Sequence, residues 1–89
     1  MKIIGIKNVK RKGTPIYYRL VYSGVAEIEL VTGTADYRID FVIETKPTGE
    51  SAVSVSIQDD IHYPLLPVIH RLKETVGEMH SNGELPVTD

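Results

Sequence analysis

Cysteine is absent from the 89 residues. That absence excludes disulfides, thiolate zinc sites, iron–sulfur clusters and cysteine nucleophiles together. Small extracellular domains often need covalent staples, so a reducing, cytoplasmic setting is expected. Long apolar runs are missing too, and every uninterrupted run is far shorter than a membrane span requires. Residues 1–6 combine one lysine with a short apolar run but lack an extended apolar stretch and a small-residue cleavage site. They read as a first strand rather than a signal peptide. There is no internal repeat, no low-complexity tract, no GxSxG context for a serine nucleophile and no glycine-rich phosphate loop. The glycines are scattered, about one per turn.

The residues present are those of an ordinary globular chain, with 42% hydrophobic and 25% charged. One domain fits this length, burying roughly 60–65% of the surface exposed by the unfolded chain. The expected organisation is a single domain over residues 1–83 and a flexible tail over 84–89. Charge is distributed unevenly along it. Residues 1–24 carry six cations and no acid, whereas residues 25–89 carry twelve acids and four cations. The simplest account is that the two parts neutralise one another across the fold.

Turn compositions recur at short intervals, at Lys12–Pro15, Ser23–Gly24, Thr32–Thr34 and Lys46–Gly49. Glycine supplies positive φ and proline presets it, and parallel strands would need longer crossovers. The spacing therefore predicts antiparallel strands near 2–9, 15–23, 25–32, 36–45 and 52–59, or four strands where the first is irregular. Period-two alternation is clean in the last three. Ile28 and Leu30 oppose Glu27 and Glu29. Tyr37, Ile39, Phe41 and Ile43 oppose Arg38, Asp40 and Glu44. Val53, Val55 and Ile57 oppose Ser54, Ser56 and Gln58. The first hairpin is apolar on both faces: Ile16, Tyr18, Leu20 and Tyr22 fall on one, Tyr17 and Val21 on the other.

The rest of the chain is helical. At about 100° per residue, Leu65, Ile69, Leu72, Val76 and Met79 form one stripe, with His70, Glu74 and Glu78 opposite. Asp59 and Asp60 precede the helix at its positive end, Pro64 and Pro67 suit its first turn, and Asn82–Gly83 is a natural stop. One narrow stripe fits a helix lying across a sheet. The fold class is α+β: an antiparallel meander of four to five strands with one C-terminal amphipathic helix on one face.

Little chemistry is on offer. His70 and His80 do not share a helical face, and no HxxxH pair exists. His70, Glu74 and Glu78 do stack at helical spacing, but an exposed stack of this kind is ordinary surface. Asp59 and Asp60 are explained by the helix start, and Glu27 and Glu29 are expected to face Arg38 across the sheet. No cofactor, no metal and no enzymatic activity are expected.

The hairpin is the remaining candidate. A face covered twice needs a second cover, and apolar surface beside charge is what an association patch looks like. Tyr17, Arg19, Val21, Lys10, Arg11 and Lys12 are therefore the expected interaction residues. They would serve a homodimer or adaptor that uses the hairpin and the open sheet face. The alternative is a weak single-stranded nucleic-acid binder, with Lys7, Lys10, Arg11, Lys12 and Arg19 on backbone and Tyr17 stacking. Glu27, Glu29, Asp40 and Glu44 on the same sheet disfavour phosphate. No membrane partner is expected.

Overall fold

The computed structural model describes residues 1–16 and 18–86, with Thr14 and Pro15 described by their backbone alone. Four strands form one antiparallel meander in the order β1-β2-β3-β4: β1 (Lys2–Ile16), β2 (Arg19–Leu30), β3 (Gly33–Thr45) and β4 (Ser51–Ile57). One helix, α1 (Leu65–Ser81), follows.

Four strands replace five because two of the turn signals are not turns. Residues 10–13 continue β1, which departs from regular register between Ile3 and Gly5, Lys7 and Lys10, and Lys12 and Ile16. Asn8 (φ 54°) and Gly13 (φ 72°) supply the left-handed conformations such irregularities use. Ser23 and Gly24 lie inside β2, opposite Asp40 and Ile39. Glycine at position 24 serves close approach. A Cβ there would stand 3.3 Å from Ile6 Cγ2 and 3.4 Å from the Lys7 carbonyl oxygen, where the bulged β1 leans over it. The other two signals do close hairpins. Leu30 pairs with Gly33 across Val31–Thr32, and the Gly49 N–H donates to the Lys46 carbonyl at 2.8 Å.

The alternation predicted for β2, β3 and β4 is realised. Tyr22, Ala26, Ile28, Ile39, Phe41 and Ile43 are buried on one face, and Tyr22 stacks on Phe41 with centroids 5.1 Å apart. The helix covers this face with Val68, Leu72 and Val76. Its backbone approaches the two edge strands, β4 and β1, rather than the central pair, so the sheet curls around it. Of the predicted stripe, Leu72 and Val76 are buried and Ile69 and Met79 are partly so, but Leu65 remains 53% exposed and Val68 takes its place. Periodicity fixes the spacing of a stripe but not its centre, and in the first turn neither Leu65 nor Leu66 is buried.

The helix ends as its sequence implies. Gly83 (φ 68°) is left-handed, and the Gly83 and Glu84 N–H groups donate to the His80 and Met79 carbonyls, the Schellman pattern. The described part of the expected tail then packs back. Leu85 is buried in the core, and Tyr22 Oη donates to the Pro86 carbonyl at 3.3 Å.

Candidate protein-interaction surface

Strand register places the charges of the open face in columns. Lys2, Lys7, Lys10 and Lys12 of β1 stand opposite Glu29, Val25, Ser23 and Val21 of β2. Those β2 residues stand in turn opposite Thr34, Arg38, Asp40 and Val42 of β3. A lysine column and a carboxylate-bearing column thus flank β2, close enough for long side chains to bridge it. Lys7 Nζ lies 3.0 Å from Asp36 Oδ2 and Lys12 Nζ 3.6 Å from Asp40 Oδ1, while Arg19 Nε lies 3.8 Å from Glu44 Oε1 directly across the strand pair. The hydrogen bond from Lys7 to Asp36, reinforced by the carboxylate's charge, holds the Lys7 ammonium above its ordinary pKa. The cation-rich and acid-rich parts of the sequence therefore meet inside the fold, as the simplest account required.

Glu27 does not face Arg38. It stands opposite Asp36, with Lys7 supplying the compensating charge. Arg38 instead clamps Asp59: Nη2 and Nε reach Oδ1 at 2.6 and 3.0 Å, and the Arg38 backbone N–H reaches Oδ2 at 2.7 Å. Asp59 is therefore a tether at the end of β4 rather than a partner of the helix dipole, and the first turn of α1 contains no acid. These hydrogen bonds from Arg38 lower the Asp59 pKa. A carboxylate depressed in the folded state adds stability above its unfolded pKa and loses it as pH falls through the folded value. Asp59→Asn should therefore flatten the acid limb of a urea-midpoint profile measured between roughly pH 2 and 5. An unchanged limb would show that the tether carries no linkage.

Among the expected interaction residues, Lys10, Lys12, Arg19 and Val21 share the open face. Val21 pairs with Val42 at its centre, and both are half-buried. Lys10 has no ion pair among the described residues and borders a shallow groove with Asn8, Ser23, Asp40 and Gln58. Arg11 stands opposite the buried Tyr22, on the helix-covered side, and so is separated from its neighbours in sequence. Tyr17 lies outside the described residues.

Two residues of this surface differ from expectation. Ile16 pairs with Arg19, so the register shift after Lys12 turns it to the open face instead of the Leu20 and Tyr22 side. Tyr18 does not line the core. Its carbonyl accepts the Thr45 N–H at 2.8 Å, and it borders a concavity with Glu44, Thr45, Lys46, Pro47 and Gly49. Ile16 and Tyr18 are 44% and 49% exposed. The sequence signal was available in two adjacent tyrosines between apolar runs, which mark a hairpin tip as readily as a strand.

On the helix, His70 Nε2 lies 3.2 Å from Glu74 Oε1, so Glu74 pairs with the histidine rather than with Arg71 or Lys73. No group of three histidine or carboxylate side chains suited to a metal gathers among the described residues. No described helix is long and apolar enough to cross a membrane.

Residues 1–81 match the model of the BB_0187 family. No curated protein and no solved structure matches the chain.

Proposed function

The chain belongs to the BB_0187 family, and from that premise and the geometry of its open face we propose that it is a non-enzymatic protein-interaction module. Its contact surface is the tip of the β1–β2 hairpin, with Ile16 and Tyr18, continuing along the open face through Arg19, Val21 and Lys10. The partner is a protein, either a second copy or an unlike chain.

One observation carries this reading. The open face offers apolar side chains, Ile16, Tyr18 and the Val21–Val42 pair, amid charges that are already matched within the chain. An apolar centre with a polar rim suits another protein surface. Phosphate backbone would instead require Lys7, Lys12 and Arg19 to leave their carboxylates, so little electrostatic attraction remains for a nucleic acid.

A photo-reactive amino acid placed at position 18 in the cells that contain the protein should give discrete protein adducts. The control position is Val31, which is 98% exposed just beyond the opposite end of β2. Adducts from position 18 and none from position 31 are expected. Equal yields from both, or none from position 18, would overturn the assignment.

A further inference from the structure

The two edges of the sheet are unlike. β1 is interrupted by three register shifts and carries Lys2, Lys7, Lys10 and Lys12, devices that discourage edge pairing. β4, Ser51–Ile57, has no charged residue, no proline and no register shift against β3. Its backbone parity is fixed by the Gln58 N–H, which donates to the Arg38 carbonyl at 2.8 Å. Residues 52, 54 and 56 consequently turn their backbone toward β3, while Ser51, Val53, Val55 and Ile57 present theirs at the free edge. Among the described residues no other strand pairs with that edge. Val53, Val55 and Ile57 point to the helix-covered face yet stay only half-buried, and the groove between Ser51, Val53 and the helix at Glu74 and Gly77 is open.

We propose that β4 pairs with β4 of a second copy, antiparallel about a two-fold axis through Ser54, joining two four-stranded sheets into one of eight. The site is distinct from the hairpin tip and does not depend on it. The occupant is a second copy because the strand is complementary to itself in this register. Val53 meets the partner copy's Val55 and Ser51 meets its Ile57, so outward-facing backbone groups meet one another in four pairs of two hydrogen bonds each. The side chains agree with the backbone. Val53 and Val55 cover each other on the helix side, Ala52 lies opposite Ser56 on the open face, and Ser54 lies opposite itself. Charge is complementary at the ends, where the Glu50 carboxylate comes beside the Gln58 amide of the other copy and no like charges stand opposite. An unlike strand would need none of this symmetry. A seven-residue edge gives a contact at the small end of specific interfaces, so a dimer in the micromolar range is expected.

The test is sedimentation velocity on the whole chain over a concentration series, in about 0.15 M salt to screen Glu74 and Glu78 along the groove. Wild type should move from 9.9 kDa toward twice that mass. Ser54→Lys and Ser54→Glu place like charges against each other at the axis and should each remain monomeric where wild type is dimeric. Position 54 is exposed, so thermal unfolding of both variants should match wild type and separate lost pairing from lost folding. An equimolar mixture of the two variants should recover the dimer, because lysine then meets glutamate. Three outcomes would overturn the proposal: wild type monomeric throughout, a dimer indifferent to both substitutions, or a mixture that stays monomeric. A dimer resistant at Ser54 but dissociated by Tyr18→Glu would assign self-association to the hairpin tip. Failure at the β4 edge and failure of the interaction surface are therefore told apart.

Discussion

Phe41→Ala should leave little folded protein at physiological temperature. Phe41 is 1% exposed at the middle of β3. Its ring stacks on Tyr22 at an interplanar angle of 18°, on the face that α1 covers. Truncation removes the transfer free energy of the ring and leaves a void that a curled sheet held by a helix cannot close, together about 3–5 kcal/mol. A domain of this length has roughly 5–10 kcal/mol to lose. The melting temperature should fall by roughly 12 °C or more, read by far-ultraviolet circular dichroism. Tyr22→Phe removes only the hydroxyl that reaches the Pro86 carbonyl and should cost about 1 kcal/mol. A small effect of Phe41→Ala would mean that the Tyr22–Phe41 stack is not the centre of the core.

Leu72→Ala should be nearly as damaging, at about 2–5 kcal/mol, while Leu66→Ala, earlier in the same helix, should change stability by about 0.5 kcal/mol or less. Both are leucines in a helical run, so intrinsic propensity cannot separate them. Position does: Leu72 is fully buried between Val68 and Val76, and Leu66 is 80% exposed. The pair tests the rotation of α1 about its own axis. Denaturant unfolding gives the answer directly, with equal midpoint shifts for the two variants refuting the helix orientation described above.

The strands illustrate how far local pattern reaches. In β3, side chains alternate over Tyr37–Glu44 without interruption, and each falls on the face its position implies. The same pattern gives the correct inward residues of β4 and the correct end of α1 at Asn82–Gly83. These features depend on neighbours in sequence, because period-two and 3.6-residue geometry are properties of the backbone itself. β1 departs from this rule. Its glycine, prolyl and lysyl residues from 12 to 15 have turn composition, yet they continue a strand, and Gly24 has turn composition inside another. A bulge and a turn use the same left-handed residues, and only the presence of a partner strand decides between them.

The candidate surface was legible in part. Lys10, Lys12, Arg19 and Val21 could be placed together by alternation alone, but Arg11 could not be separated from them or Ile16 moved to join them. Both depend on register shifts in β1, and a one-residue slip moves a side chain to the other face. The fate of the charges was also beyond local reasoning. Composition showed six cations ahead of twelve acids, while the pairing of Lys7 with Asp36 and Lys12 with Asp40 required β1 and β3 to flank one strand.

By itself, the sequence determined the α+β class, the meander, the single covering helix and the inward faces of β2, β3 and β4, because each is written in a periodicity shorter than the element that carries it. The tertiary structure decided the length and bulges of β1, the rotation of α1, the return of Leu85 to the core, the internal matching of charge and the contrast between a guarded β1 edge and an open β4 edge. Those features arise from contacts between residues distant in the chain, and such contacts are set by which elements meet rather than by how each one forms.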